Sequence, residues 1–272
     1  MSTSWHGFLR RWHPEGIPWP GSALYNFISQ TKVFRRQYAL VADHVGCYSR
    51  TGRILDIGTG PGWLLVALCR SLPELGLVGV DISPGMVAVA RKNMKRAGCD
   101  AAISLKVAAA EALPFPENTF DTVVSTGSLH HWRRPVVALN EAYRVLKAGG
   151  YALIYDLVRR LPPAVAVAAR REFGPLRTRM LWLHSFEEPF YSAQEMEALV
   201  PATLFQRGET QFIGVLCCLI LQKSTAGSPH DEPQRHRPCG ARSGQNFANA
   251  TAFARRRRTR EHKRPLETEG VR

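Results

Sequence analysis

The chain has 272 residues, of which 45% are hydrophobic, and a formal charge of +14 at pH 7. The hydrophobic content is typical of a globular protein with a sizeable core, whereas the net charge is high. The apolar run "FIGVLCCLIL" is half as long as a membrane helix requires, so we expect no membrane span. The N-terminus has no signal-peptide pattern, which predicts a cytoplasmic protein. The cysteines lack zinc-site spacing, so we expect no metal site.

The first 46 residues divide into an arm and a helix. Residues 1–22 are rich in Trp, Pro and Gly, which is typical of an ordered or semi-ordered arm and not of a helix. Between 23 and 46 apolar residues recur at helical spacing and predict an amphipathic helix, which we expect to act as a lid or as a packing helix. The apolar residues are Leu24, Phe27, Ile28, Phe34, Tyr38, Val41 and Val45.

Strand-like and helix-like segments then alternate along the chain. The apolar runs "RILDI", "LVGVDI", "ISLKV", "FDTVVST" and "YALIYDLV" are separated by helical patterns such as "WLLVALCRSL" and "MVAVARKNMKRAG". Strands that alternate with helices predict an α/β fold, with a mostly parallel sheet and helices on both faces. A last strand, "FIGVLCCLILQ", follows residues 157–211.

The chain ends in a basic stretch. Residues 224–272 hold 11 Lys and Arg against five Asp and Glu and show no apolar periodicity, so we predict that they are disordered. The run "RRRRTREHKR" is compatible with nucleic-acid contact, but a solvated tail with no such role has the same composition. The folded domain is therefore predicted at 23–223.

The motif "LDIGTGPG" raises the question of which ligand it receives. Gly58, Gly60 and Gly62 lie between a predicted strand and a helix, where a ligand can approach the backbone. The dinucleotide fingerprint needs its third glycine one residue later, where this chain has Trp63. Asp56 would also place its charge beside a bound pyrophosphate. The motif therefore favours a cationic ligand without phosphate, such as S-adenosylmethionine, and disfavours a nicotinamide oxidoreductase.

Four segments in order carry a family resemblance. "LDIGTGPG", "VGVDISPGMVAVARKN", "AEALPFPENTFDTVVSTGSLHHW" and "ALNEAYRVLKAGGYALIYD" resemble the successive motifs of class I S-adenosylmethionine-dependent methyltransferases, and specifically the methyltransferase type 11 group that includes quinone-biosynthesis C-methyltransferases. The resemblance runs from Arg53 to Asp156. It implies a Rossmann-like, doubly wound sheet of seven strands, mostly parallel, with an antiparallel last strand.

The resemblance also implies where S-adenosylmethionine binds. The implied contacts are Asp56, Gly58, Thr59, Gly60 and Gly62 for the methionine end, Asp81 for the ribose, Ile82 and Met86 for the adenine ring, and backbone groups of Ala110 and Glu111 for the adenine amino group. The chain departs from the family at Ala109, where an aspartate often accepts a hydrogen bond from that amino group.

Polar residues follow the fourth predicted strand. Ser125, Thr126 and Gly127 fall at the carboxyl edge of the sheet, where a hydroxyl can meet the methionine carboxylate or the substrate. His130 or His131 can serve as a general base if the acceptor is a hydroxyl or an acidic carbon. The alternative is that both are loop histidines hydrogen-bonded to the backbone.

The expected reaction is direct in-line methyl transfer to a small-molecule acceptor, with residues 157–211 setting specificity and no covalent residue required. Two alternatives remain open. One is a non-catalytic binding module with the same fold, which Ala109 favours. The other is a nucleic-acid or protein acceptor, which the basic charge favours. Enzymes that methylate nucleic-acid amino groups carry an Asn/Asp-Pro-Pro-aromatic motif after the fourth strand. This chain has "STGSLHHW" there instead, which disfavours a nucleic-acid acceptor.

Overall fold

The computed structural model describes residue 26 and residues 29–179 and 190–225. The predicted arm at 1–22 and nearly all of the predicted disordered tail at 224–272 lie outside the described residues. The helices are α1 (Lys32–Val45), α2 (Trp63–Ser71), α3 (Pro84–Ala97), α4 (Pro135–Val145), α5 (Pro163–Phe173) and α6 (Ala193–Leu199), and the strands are β1 (Gly52–Ile57), β2 (Leu75–Asp81), β3 (Ile103–Val107), β4 (Phe120–Thr126), β5 (Leu146–Asp156), β6 (Gly208–Ile213) and β7 (Leu216–Gln222).

The strands form one sheet in the order β3-β2-β1-β4-β5-β7-β6. The pairs from β3 to β5 are parallel, whereas β7 runs antiparallel to both β5 and β6. The carboxyl ends of the parallel strands therefore share one edge, and the strand order reverses between β1 and β4, where open α/β sheets bind ligands. The predicted α/β fold, with seven strands and an antiparallel last strand, is confirmed.

The prediction of a single strand at "FIGVLCCLILQ" is wrong. The segment contains the end of β6, a turn at Gly214 and all of β7. Gly214 has a φ of +61°, a backbone conformation that favours glycine. Gln37 of α1 holds the turn: its amide nitrogen donates to the Ile213 carbonyl at 2.5 Å and its amide oxygen accepts from the Val215 N–H at 3.1 Å.

The core lies on both faces of the sheet. Neighbouring residues of a strand point to opposite faces, so Ile54 of β1 packs with α1 and α2 while Leu55 packs with α4. Val123 and Val124 of β4 divide between the same two clusters. Because both faces of the central strands are covered, these strands are continuous apolar runs in the sequence.

Helix α1 packs closely on the sheet. Its buried residues are Val33, Gln37, Leu40, Val41, Ala42, His44 and Val45. Phe34 and Tyr38, which the apolar spacing placed on the buried side, are only half-buried. Two hydrogen-bonded polar side chains, Gln37 and His44, lie in the buried stripe instead. The C-terminal half of α1 is thus part of the core, and the role of residues 23–46 as a lid stays a prediction.

Candidate active site

The glycine turn after β1 wraps around the end of β2. Gly58 and Thr59 both donate their backbone N–H groups to the Val80 carbonyl at 2.9 Å, and Gly62 donates to the Thr59 carbonyl at 2.9 Å. Gly58, Gly60 and Gly62 have φ values of +72°, +52° and +80°. A side chain would strain the backbone at each of these positions. The turn leads directly into the N-terminus of α2.

Two of the glycines are also required by packing within the protein. A Cβ at Gly58 would lie 2.5 Å from the Ser128 hydroxyl oxygen, and a Cβ at Gly62 would lie 2.7 Å from the terminal carbon of Met94. The direction that a side chain at Gly62 would take therefore points at α3. The backbone contacts of these glycines with a cofactor remain predictions.

Asp56 is a buried carboxyl group at the end of β1. Its Oδ2 accepts a hydrogen bond from the Thr59 hydroxyl at 2.7 Å, while its Oδ1 is buried and has no hydrogen-bond partner among the described residues. Burial raises the pKa of Asp56 to about 7; the nearby charge of Asp81 adds to this effect and the Thr59 hydrogen bond opposes it. A positively charged group beside Oδ1 would stabilise the ionised carboxylate.

Asp81, at the end of β2, is held by the backbone around it. Its Oδ2 accepts from the Gly60 N–H at 2.8 Å and its Oδ1 accepts from the Ser83 N–H at 2.9 Å. Burial raises its pKa, and these two hydrogen bonds oppose that effect. Each carboxylate oxygen can accept more than one hydrogen bond, so both can also receive ribose hydroxyls.

The residues predicted to meet the adenine ring differ in exposure. Ile82 has 38% of its surface exposed, whereas Met86 has only 2%. Ile82 therefore offers an apolar surface next to Asp81, while Met86 is covered by the protein. Ala110 is buried, and the Glu111 carboxylate accepts from the Arg134 N–H at 3.3 Å.

The hydroxyls after β4 have different partners. The Ser125 and Ser128 hydroxyl oxygens are 2.7 Å apart, and Ser128 also donates to the Ile57 carbonyl of β1 at 3.3 Å. The hydroxyl of Thr126 is buried and has no hydrogen-bond partner in the described part of the chain. Thr126 therefore offers a free polar group at this edge, whereas the Ser125 hydroxyl is already engaged.

His130 is paired with a carboxylate. Its Nδ1 lies 2.9 and 3.0 Å from the two carboxylate oxygens of Asp156, and its backbone N–H donates to Asp156 Oδ2 at 3.0 Å. Both side chains are buried, with 6% and 1% exposure. His131 is half-buried, and its ring centroid lies 3.9 Å from that of His130. The sequence left open whether His130 is a general base or a loop histidine hydrogen-bonded only to the backbone. Its ring contacts a carboxylate, so a backbone contact alone does not describe it.

Comparisons with known proteins identify the family. Residues 55–154 match the family model described as "Methyltransferase domain". The chain is 30% identical over 168 residues to a demethylmenaquinone methyltransferase of Thermus thermophilus, an alignment that covers 56% of this chain and 74% of that protein. The chain belongs to the class I S-adenosylmethionine-dependent methyltransferases, type 11 group.

Other members of this methyltransferase family align over a smaller share of their length. A ubiquinone/menaquinone biosynthesis C-methyltransferase of Geobacter sulfurreducens is 34% identical over 135 residues, which cover 48% of this chain and 53% of that protein. For several of the relatives the chain spans about half of their length or less. A SAM-dependent methyltransferase from Aquifex aeolicus has the same fold, with a TM-score of 0.57 at 18% identity over 74% of this chain and 97% of the other.

The fold of this family member brings most of the predicted site residues to one edge. Asp56 and Asp81 lie at the carboxyl ends of the neighbouring parallel strands β1 and β2, and the glycine turn and the residues after β4 follow such ends. Asp156, which the sequence analysis did not select, joins them from β5. Trp132 packs in the core. The described ranges contain no helix long and apolar enough to cross a bilayer and no cluster of His, Cys, Asp and Glu that could hold a metal ion.

Proposed function

We propose that the chain transfers a methyl group from S-adenosylmethionine to a small-molecule acceptor. The observation that carries the proposal is Asp56, a buried carboxyl with one unpartnered oxygen beside a glycine turn. A phosphate would be repelled there, whereas an ammonium group would supply the missing hydrogen-bond donor and a sulfonium group would be attracted by the carboxylate charge. The buried carboxylate acceptor at this edge therefore fits a cationic nucleoside.

The other residues fit the remaining parts of S-adenosylmethionine. Asp81 would accept hydrogen bonds from the ribose hydroxyls, Ile82 would pack against the adenine ring, and the backbone of Ala110 and Glu111 would take the place of the aspartate that Ala109 replaces. Thr126 would offer its hydroxyl to the methionine end. When bound, S-adenosylmethionine supplies a methyl group that its positive sulfur has already activated.

The chain itself then has three tasks: to bind both reactants, to align the acceptor with the methyl group, and to exclude water. The residues after β4 and within 157–211 would form the acceptor side of the site. The names of the relatives refer to quinone and hydroquinone acceptors, and we propose an acceptor of similar size and chemistry for this chain.

Isothermal titration calorimetry tests the cofactor assignment. We expect the full chain to bind S-adenosylmethionine and S-adenosylhomocysteine, and Asp81→Ala to weaken binding at least tenfold because the ribose loses a charged acceptor, worth about 1.5–3 kcal/mol. Asp100→Ala, which removes an exposed acid before β3, is the matched control and should bind like the wild type. Absence of binding by the folded wild type, or preferential binding of NADH, would refute the proposal.

A further inference from the structure

We propose that His130 and Asp156 form a proton-accepting pair, in which Asp156 is a positioning residue and Nε2 of His130 removes a proton from the methyl acceptor. The inference rests on the proposed methyl transfer and specifies its acceptor. It assigns a role to Asp156, the last residue of β5. The supporting observations are the hydrogen-bond pattern of the pair, its packing and its place in the sheet.

The hydrogen bonds define which ring nitrogen carries the proton. Asp156 accepts from the His130 N–H, and its Oδ1 also accepts from the Leu157 N–H at 2.8 Å. A carboxylate oxygen can only accept, so the ring nitrogen facing it, Nδ1, must be a donor. In the neutral ring the lone pair is then on Nε2. No described residue is hydrogen-bonded to Nε2.

The His130 ring is fixed in orientation. Its centroid lies 3.9 Å from that of His131 and 4.2 Å from that of Phe190, which belongs to the predicted specificity segment. Within the described ranges, two titratable groups face the pair: His131 from the same turn, and Cys217, which is the β7 residue paired with Asp156. Burial raises the pKa of Cys217 to about 12, so this thiol stays neutral and adds no charge.

The pair is close to the proposed cofactor site. Ser128, two residues before His130, is hydrogen-bonded to the Ile57 carbonyl at the start of the glycine turn. His130 follows the carboxyl end of β4, and Asp56 lies at the carboxyl end of the adjacent strand β1. A base placed there can act on an acceptor that lies between the specificity segment and the methionine end of the cofactor.

A base at this position defines the acceptor class. The nucleophile must become reactive by losing a proton, as a phenol or hydroquinone does; a tertiary amine or a thioether needs no base. In the proposed step the acceptor proton moves to Nε2, the acceptor electron pair forms the new bond to the methyl carbon, and the electron pair of the broken S–C bond returns to sulfur. The proton on His130 is afterwards lost to solvent.

The competing explanation is structural: the pair could simply tie the turn after β4 to β5. His130→Asn separates the two explanations because the Asn amide can keep the hydrogen bond to Asp156 from the position of Nδ1 and lacks Nε2. With 1,4-naphthohydroquinone as the acceptor probe and labelled S-adenosylmethionine, we expect kcat to fall by about 10²–10⁴-fold. The affinity for S-adenosylmethionine should stay within twofold. Wild-type kcat in this variant would overturn the proposal.

Nitrogen NMR of the full chain labelled with ¹⁵N-histidine gives a readout that needs no acceptor. In the neutral ring we expect His130 to carry its proton on Nδ1 and to have a bare Nε2, and we expect Asp156→Asn to lose this preference and to shift the pH dependence of kcat. A doubly protonated ring that persists to pH 9, or a proton on Nε2 of the neutral ring, would overturn the proposal. If the wild type binds S-adenosylmethionine but leaves the hydroquinone unmethylated, the proposed acceptor class is wrong and the NMR result still decides the state of the pair.

Discussion

Asp56 is the residue whose electrostatics depend most on what binds beside it. Burial raises its pKa from 3.8 to about 7, so in the ligand-free protein the carboxyl is partly protonated at neutral pH. Since the folded state holds this proton more tightly than the unfolded state, the free energy of unfolding falls as the pH rises through the window between these two values. A bound cation would reverse the effect by favouring the ionised form.

The Asp56→Asn variant tests this directly. The amide cannot ionise, so the variant should gain stability relative to the wild type between pH 4 and pH 8, by at most about 4 kcal/mol. Urea unfolding of the ligand-free protein across this range measures the difference. Asp100→Asn serves as the control and should follow the wild-type curve. If Asp56→Asn also ran parallel to the wild type, the carboxyl would not be a high-pKa group in the folded protein.

At the scale of elements, Trp63 explains why the glycine turn departs from the dinucleotide pattern. Its indole N–H donates to the Asn26 side-chain oxygen at 3.1 Å. Asn93 of α3 donates to the same oxygen at 2.8 Å and to the Pro61 carbonyl at 2.9 Å. The three side chains thus connect the segment before α1 to the glycine turn and to α3. Any lid movement at 23–46 must involve the segment before α1, because the second half of α1 is in the core.

Trp63→Phe removes the indole N–H and keeps an aromatic ring. We expect the start of α1 to open more often, with a loss of about 1 kcal/mol and a rise of about fivefold in the rate of trypsin cleavage after Lys32 or Arg35. Asn26→Ala, which also removes the acceptor of the Asn93 hydrogen bond, should have a larger effect, and the double variant should add little to Asn26→Ala. Unchanged cleavage in both single variants would show that this contact does not restrain the segment.

Local patterns in the sequence were sufficient for the order of strands and helices and for the position of the glycine turn. What they missed depends on contacts between distant segments. Asp156 belongs to the site because β5 pairs with β4 in a register that places Tyr155 opposite Thr126. Gln37 lies in the buried stripe of α1 because the β6–β7 turn supplies its hydrogen bonds. No spacing rule within one element contains such information.

At the scale of the whole molecule, the contact between α1 and the sheet includes a histidine that burial keeps neutral. His44 Nδ1 lies 2.7 Å from the hydroxyl of Tyr155, the penultimate residue of β5. Burial lowers the pKa of His44 to about 4, and a hydrogen bond with Gln211 partly opposes this shift. The unfolded chain takes up this proton near pH 6.5 and the folded chain only near pH 4, so stability is lost as the pH falls between these values.

His44→Asn should therefore make the protein less sensitive to acid, because the Asn side chain can keep the contact with the Tyr155 hydroxyl and cannot take up a proton. Between pH 7 and pH 4.5 we expect the wild type to lose up to about 3 kcal/mol relative to this variant. Urea unfolding followed by circular dichroism measures both proteins at each pH. The contribution of Asp56 to the free energy of unfolding has the opposite sign in this pH range. It is the same in the wild type and in His44→Asn, so it cancels when the two free energies are subtracted. Parallel pH profiles for wild type and variant would mean that the pKa of His44 is the same in the folded and unfolded states and that another group limits the acid stability of the α1 contact.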